Sequence, residues 1–379
     1  MTRRSRRATD VNLAATLETV DIAMVCGSGG VGKTSIAAAM AVSEAMRGRK
    51  VCVLTIDPAR RLADAMGLTT LDDRERKVKL PPGAASGGEL WALMLDPKKA
   101  LDRLVAETAP DEEAAERIYG NRVYQQMSAN TAGMQEYMAL ERLYEIDRAG
   151  RYDLVVVDTP PAAHARELLD SPHRILRFLE GRSLRWFLKP GLKMGKFGLR
   201  AIGGPGGAIV GLVQKVTGVE MLRDTTEFFE SMDGMYEGFS ERIKIVERLF
   251  SDERTGFFIV TSPERESIFE AIDFWSLLAE RDFSFVGAVV NRVEPFSSGG
   301  AASVKELRQL PGFDANLARD VHAAQVDHLQ LAKRDNARID QLEQGTGGAR
   351  AIAVPRLARL VTDIEGLTEL TPYLYGTAE

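Results

Sequence analysis

Short apolar runs recur along the chain, separated by longer stretches with helical periodicity. Each run is five to seven residues long and rich in Val, Ile and Leu. Such runs are typical of strands that are buried on both faces of a parallel sheet. Strands that alternate with helices predict an α/β fold, with a mostly parallel sheet flanked by helices. The runs are DIAMVC (21–26), VCVLTI (51–56), LWALML (90–95), DLVVVD (153–158), GFFIVTS (256–262), FVGAVVN (285–291) and AIAVP (351–355).

Two segments interrupt this alternation. Residues 97–150 and 172–250 carry charged helical patterns without an apolar run. We therefore predict one domain over residues 1–379, with an α-helical insertion subdomain at about 97–150 and 172–250. The predicted core covers the remaining ranges, which are about 18–96, 151–171 and 251–379, and residues 1–12 form a basic tail.

Composition narrows the classes of function. The net charge of the 379 residues is -5, so we expect no general attraction to nucleic acid. Cys26 and Cys52 are the two cysteines, and both fall in predicted buried strands, which argues against a disulfide framework or a zinc site. No apolar run of about 20 residues is present to span a membrane. The basic start MTRRSRR lacks the apolar run of a signal peptide, so we expect a cytoplasmic protein, or one peripheral at the membrane.

The stretch GSGGVGKTS (27–35) fits the phosphate-loop pattern G-x-x-x-x-G-K-[ST]. An apolar run precedes it and an Ala-rich helical pattern follows, which is the context that such a loop requires. Its glycines let backbone N–H groups converge on phosphate oxygens beside a helix N-terminus. We expect Lys33 to neutralise β- and γ-phosphate charge and the Thr34 hydroxyl to bind Mg²⁺. The residues predicted to hold ATP here are Gly29, Gly30, Val31, Gly32, Lys33, Thr34 and Ser35.

Two aspartates follow predicted strands, at the edge of the sheet where ligands bind in open α/β folds. Asp158 ends the run DLVVVD, and its carboxylate suits the shell of a Mg²⁺ ion. The alternative interpretation is an aspartate that only caps the strand. Asp57 lies in LTIDPARRL (54–62), where it suits a role in orienting a water towards the γ-phosphate. Its alternative role is the N-cap of a helix predicted from Ala59 to Met66.

In this order the segments resemble the deviant-Walker P-loop ATPases. The closest branch contains the arsenical-pump ATPase ArsA and the ATPases that target tail-anchored membrane proteins. GSGGVGKTS resembles the family's GKGGVGKTT, TIDPARRLADAMG resembles its first switch, and VVVDTPPAAHARELLDSP resembles its second switch. FIVTSPERESIFEA, VVNRV and VPRLARLVTDIEGLTEL are similar to its later strands, adenine loop and last helix.

The resemblance implies an ATPase that uses ATP and Mg²⁺. Asn291 is implied to contact adenine, with a polar strand end as the alternative, and the backbone at Pro355 and Arg356 is implied to lie beside the base. The implied catalytic and metal roles are phosphate contact by Lys33, metal contact by Thr34, positioning of the hydrolytic water by Asp57, and a place in the metal's outer shell for Asp158.

One departure from the family concerns its signature lysine, the second residue of its loop, which is Ser28 here. In the family this lysine reaches the partner subunit's nucleotide in a dimer and stabilises its charge. Loss of such a cation lowers the rate by about a thousandfold or more, and serine is neutral and too short to replace it. We therefore favour a heterodimer with a paralogue that carries the lysine. A homodimer that hydrolyses ATP slowly is the alternative.

Further departures limit what the chain is expected to bind. The family's CxxC zinc clasp is absent, as are clustered cysteines for arsenic. His164 is retained in the second switch, either as a sensor of the γ-phosphate or as a hydrogen-bonding residue at the start of a helix. Residues 172–250 are rich in Met and Phe, which suits either a groove for a hydrophobic client or the subdomain's own core. The glycine-rich stretch 191–211 is either a flap or a plain loop.

Three functions follow from these patterns. The first is an ATPase whose nucleotide cycle switches a dimer and acts on a hydrophobic client or a membrane-transport partner. The second is a slow or non-hydrolysing regulatory subunit of a heterodimeric ATPase. The third is a positioning ATPase of the MinD or ParA kind, which the large helical insertions and the tail LTELTPYLYGTAE disfavour.

Overall fold

The computed structural model describes residues 13–57, 59, 61–130, 134–180, 228, 235–295, 300–359 and 361–376. The chain divides into two compact units. A sheet unit comprises Met1–Met94, Ala149–Arg166 and Ser251–Glu379, and a helical unit comprises Leu95–Arg148 and Glu167–Phe250.

In the described part of the chain, eight strands form one sheet. They are β1 Ile22–Gly27, β2 Lys50–Thr55, β3 Arg76–Val78, β4 Glu89–Met94, β5 Leu154–Asp158, β6 Thr255–Thr261, β7 Phe285–Val293 and β8 Ala351–Pro355. Their order across the sheet is β3-β4-β2-β5-β1-β6-β7-β8. Every neighbouring pair is parallel except β3 with β4.

All seven predicted strands are present, and the prediction of a mostly parallel α/β fold is confirmed. Only β3 was not predicted. Its three residues, RKV, pair antiparallel with β4 at the edge of the sheet. A short, charged edge strand produces no apolar run, because its outer side is not covered by another strand.

The described helices lie before, between and after these strands. None of them is long and apolar enough to cross a membrane. They are α1 Leu13–Leu17, α2 Lys33–Met46, α3 Arg61–Ala65, α4 Pro97–Thr108, α5 Glu112–Gly120, α6 Arg122–Asn130, α7 Met134–Ala149, α8 Ala162–Glu180, α9 Tyr236–Ser251, α10 Arg265–Glu280, α11 Val304–Leu307, α12 Ala315–Gly345 and α13 Ile364–Leu374.

The core of the sheet unit lies on the central strands. Every residue of β1 and of β5 is buried, as expected for strands with helices over both faces. Alternate side chains such as Val25, Val53 and Val156 form one apolar cluster with α2 and α13. This packing holds α2 against the central strands.

The helical unit contains the charged segment 97–150 as four helices, α4 to α7, in agreement with the helical pattern. Asp96 caps α4 by accepting the Lys99 N–H at 3.1 Å, and Asp111 caps α5 by accepting the Ala114 N–H at 2.7 Å. Of the Met- and Phe-rich segment 172–250, the described side chains Phe228, Met235 and Phe239 are buried. Apart from Phe228, the part of the predicted client groove between residues 181 and 234 lies outside the described residues, and so does the whole glycine-rich stretch 191–211.

Candidate functional site

The loop between β1 and α2 needs glycine for its backbone conformation. Gly27, Gly30 and Gly32 have φ angles of 152°, 78° and 97°, which side chains rarely allow. A Cβ at Gly27 would lie 1.9 Å from the Val260 carbonyl oxygen of β6. The loop is therefore drawn tightly against the sheet, while Gly29 and Gly30 at its tip are exposed to solvent.

Lys33 opens α2 and folds back over the loop. Its side chain is buried, with the residue 8% exposed, and Nζ donates a hydrogen bond of 2.7 Å to the Ser28 carbonyl oxygen. Burial lowers the pKa of the Lys33 ammonium, and the Asp158 and Asp57 carboxylates oppose that shift. The ammonium is thus held beside the loop by backbone and by nearby negative charge.

Ser28 is the second residue of the loop. The residue is 6% exposed, and its Oγ is buried without a hydrogen-bond partner in the described part of the chain. Its carbonyl oxygen, in contrast, accepts the bond from Lys33. The side chain at this position is short, neutral and enclosed within its own subunit.

Asp158, at the end of β5, is the most enclosed carboxylate of the site. The residue is 1% exposed, and its Oδ2 accepts hydrogen bonds from the hydroxyls of Thr34 at 2.9 Å and Thr55 at 3.0 Å. Its Oδ1 is buried and has no hydrogen-bond partner among the described residues. Burial raises the pKa of the Asp158 carboxyl to about 6, although the two hydroxyls and the Lys33 ammonium act to lower it.

Asp57 follows β2 by two residues and is partly exposed. Its Oδ1 accepts the Ala59 N–H at 2.9 Å, which forms a tight turn, and its Oδ2 lies 3.7 Å from Arg61. The predicted helix from Ala59 to Met66 is wrong at both ends, since α3 spans Arg61–Ala65. Asp57 therefore lies four residues before α3 and is not its N-cap. The charge of its carboxylate opposes the lowering of the Lys33 pKa by burial and adds to the raising of the Asp158 pKa.

Asn291 lies inside β7 beside the loop, with 8% of the residue exposed. Its Nδ2 donates to the Val31 carbonyl oxygen at 2.8 Å, and its Oδ1 accepts the Arg292 N–H at 3.0 Å. A Cβ at Gly32 would lie 2.3 Å from this Nδ2, so the glycine makes room for the amide. Asn291 thus contacts the phosphate loop directly, a contact that the sequence did not predict.

The remaining predicted residues lie at the carboxyl end of the sheet or have side chains outside the described part of the chain. Pro355 ends β8, and the Arg356 N–H donates to the Val293 carbonyl oxygen at the end of β7. The alternatives for His164 stay open because its side chain is outside the described residues. Sequence reasoning missed Thr55 and Thr159, whose hydroxyl donates to the Val25 carbonyl oxygen at 2.9 Å. The only available signal was their place at or just after the end of an apolar run.

The family model described as anion-transporting ATPase, of the ArsA type, matches residues 20–309. The chain belongs to the anion-transporting ATPase family. This membership confirms the resemblance, and with it ATP binding and ATP hydrolysis. The loop with Lys33 and Thr34 lies within the matched region.

Curated relatives match most of the chain. "ATPase ARSA2" of Chlamydomonas reinhardtii is 26% identical over 317 residues, 81% of this chain and 78% of the relative. "ATPase GET3" of Podospora anserina is 27% identical over 272 residues, 71% and 72% of the two chains. "ATPase ASNA1 homolog" of Plasmodium chabaudi chabaudi is 23% identical over 363 residues, 92% and 84%.

Proposed function

We propose that the chain is a Mg²⁺-dependent ATPase whose nucleotide cycle switches a dimer, in a single P-loop domain with a helical insertion. The observation that carries this proposal is the corner at the carboxyl end of the sheet. There the Thr34 hydroxyl, the buried Asp158 carboxylate and the Lys33 ammonium meet beside the phosphate loop. Each of these three groups matches one requirement of bound Mg-ATP.

The donor set at this corner fits a magnesium ion. Mg²⁺ prefers oxygen ligands and keeps several waters, so it needs few protein groups. The Thr34 hydroxyl supplies one oxygen, and the buried Oδ1 of Asp158, which has no partner among the described residues, supplies an acceptor for a water of its shell. When bound, the ion neutralises phosphate charge.

The chain's own residues then account for hydrolysis. Backbone N–H groups of Gly29, Gly30 and Gly32 bind the phosphate oxygens, and the Lys33 ammonium leaves the Ser28 carbonyl to neutralise the β- and γ-phosphates. Asp57 orients the attacking water, since its carboxylate is partly exposed and held in place by the Ala59 N–H.

The adenine is proposed to lie over the ends of β7 and β8. Asn291 Nδ2 carries a second hydrogen besides the one given to Val31, and this hydrogen is proposed to donate to the base. Pro355 and Arg356 then border the base through their backbone. Asn291 also contacts the phosphate loop. Binding of the base is therefore coupled to binding of the phosphates.

The identity of the dimer partner depends on Ser28. Its hydroxyl is neutral and enclosed, so it supplies no cation to a second subunit. We propose a heterodimer with a paralogue that carries the signature lysine, which completes the site on this chain. The second candidate is a homodimer, or a slow regulatory subunit. The enclosed serine is consistent with it, because a dimer without the lysine would hydrolyse ATP slowly. In either case the proposed target is a hydrophobic client or a membrane protein.

Phosphate release tests the enzymatic part. We expect Mg²⁺-dependent turnover by the purified chain together with its partner, and a loss of about a hundredfold or more in Asp57→Asn with ATP affinity kept within about threefold. Asp64→Asn, an exposed aspartate in α3, is the matched control and should retain turnover. Equal turnover of Asp57→Asn and the wild type would contradict the assigned role.

Pull-down of the tagged chain from its native cells in Mg-ATP tests the partner. A stoichiometric related chain with GKGG in its loop supports the heterodimer. Recovery of the chain with itself alone supports the homodimer and a slow turnover.

A further inference from the structure

Thr55 and Asp158 end two neighbouring strands. Thr55 is the last residue of β2 and Asp158 the last of β5, and the parallel register pairs them directly. Each residue is 1% exposed. The hydrogen bonding between the two strands extends one residue beyond Thr55, because the Ile56 N–H donates to the Asp158 carbonyl oxygen at 3.1 Å. The two side chains therefore meet in a rigid part of the sheet.

The hydroxyl of Thr55 has a specific use at this position. It donates to the same Oδ2 of Asp158 that accepts the Thr34 hydroxyl, at 3.0 Å and 2.9 Å. Two donors satisfy the lone pairs of that oxygen and fix the plane of the carboxylate. The other oxygen, Oδ1, is left buried without a partner among the described residues. A buried acceptor without a partner is costly, so a geometry of this kind indicates a ligand.

From this geometry we infer that Thr55 is a positioning residue for metal-dependent nucleotide binding. Its hydroxyl orients Asp158 so that Oδ1 faces the water shell of the ion held by Thr34. Thr55 itself touches neither the ion nor the nucleotide. It also connects Asp158 to the segment that carries Asp57 two residues later, so both carboxylates depend on the end of β2. This inference rests on the Mg²⁺ site proposed above.

The test removes the hydroxyl and keeps the shape. Thr55→Val is isosteric, and Thr55→Ser restores the hydroxyl. Affinity for a fluorescent ATP analogue is measured over a range of Mg²⁺ concentrations and in EDTA. We expect Thr55→Val to need about 10-fold more Mg²⁺ for half-maximal binding, because removal of a group that orients a metal site costs about 10- to 100-fold. The affinity in EDTA should stay within about twofold, and Thr55→Ser should lie within about threefold of the wild type.

Thr255→Val is the matched control. Thr255 is equally buried at the start of β6, at the opposite end of the sheet, and its hydroxyl has no partner in the described part of the chain. It should leave the Mg²⁺ requirement unchanged. If Thr55→Val does not fold, Thr55→Ala replaces it as the hydroxyl-free variant.

The outcomes separate this inference from the proposed function. A wild type whose nucleotide affinity does not depend on Mg²⁺ overturns both. A wild type that depends on Mg²⁺, with Thr55→Val showing the same requirement, overturns the role of Thr55 alone. An equal loss of affinity in Mg²⁺ and in EDTA also overturns it, since a structural defect would act on both.

Discussion

Two of the buried carboxylates in the described part of the chain have opposite hydrogen-bonding arrangements. In the helical unit, Glu141 of α7 is fully buried, and both of its oxygens are used: Oε1 accepts from Arg242 Nε of α9 and Oε2 from the Tyr137 hydroxyl at 3.0 Å. In the sheet unit, Asp158 concentrates two donors on one oxygen and leaves the other without a partner in the described residues.

This difference distinguishes a buried carboxylate that stabilises the fold from one that is available to a ligand. Burial raises the pKa of both carboxyls, but Glu141 has a guanidinium at hydrogen-bonding distance to offset its desolvation. Arg242 is itself fixed by Glu107 at 3.0 Å and by the Tyr144 ring 4.2 Å from its guanidinium carbon. A closed network of this kind has no capacity for a ligand, whereas the open oxygen of Asp158 does.

Removal of the Glu141 charge should have the largest effect on stability. Glu141→Gln removes the buried counter-charge of Arg242 and leaves it only the half-exposed Glu107, and breaking a buried pair typically costs about 3–5 kcal/mol. We expect a loss of about 3 kcal/mol in the free energy of unfolding, measured by urea denaturation. Glu107→Gln removes the half-exposed partner of the same arginine and should cost less than about 1 kcal/mol. Equal costs for the two variants would show that Arg242 is not held by Glu141.

Removal of the Asp158 charge should act on turnover. Asp158→Asn keeps the shape but loses the anionic acceptor, and we expect Mg²⁺-dependent phosphate release to fall by about 10- to 100-fold. Glu141→Gln, assayed below its unfolding midpoint, should release phosphate at a rate within about threefold of the wild type. The comparison fails if both variants lose turnover to the same extent.

The same Asp158→Asn variant should stabilise the chain in the absence of nucleotide and metal. The pKa of Asp158 rises from 3.8 in the unfolded chain to about 6 in the folded one, so the folded chain binds the proton more tightly. Its contribution to stability is full below pH 3.8 and is lost as the pH rises through 6. We expect the variant to be more stable than the wild type at pH 8 by up to about 3 kcal/mol, with a gain that shrinks towards pH 4. Thermal unfolding in EDTA across this pH range measures the difference.

The sequence predicted the parts of the fold that depend on local pattern. Apolar runs identified all seven long strands, while the edge strand β3 escaped because RKV has no apolar periodicity. The loop from Gly27 to Thr34 was predicted because its glycines serve a local backbone conformation. The start of α3 was wrong because the Asp57 carboxylate binds the Ala59 N–H and delays the helix.

The contacts that define the site depend on strand register, which the sequence does not state. Thr55 and Asp158 are 103 positions apart, and Glu141 and Arg242 are 101 apart, so no local pattern connects them. Asn291 and Val31 are 260 positions apart. The order of strands in the sheet brings together Thr55 with Asp158 and Asn291 with Val31, whereas the approach of α9 to α7 brings Arg242 to Glu141.

Titration of the wild type with Mn²⁺ in the presence of ATP, followed by electron paramagnetic resonance, tests the central claim most directly. Mn²⁺ shares the oxygen preference of Mg²⁺ and reports its own binding. The account predicts one tight site per chain, with an affinity at least about 10-fold lower in Asp158→Asn and unchanged in Glu141→Gln. Equal Mn²⁺ affinities in the wild type and Asp158→Asn would contradict it.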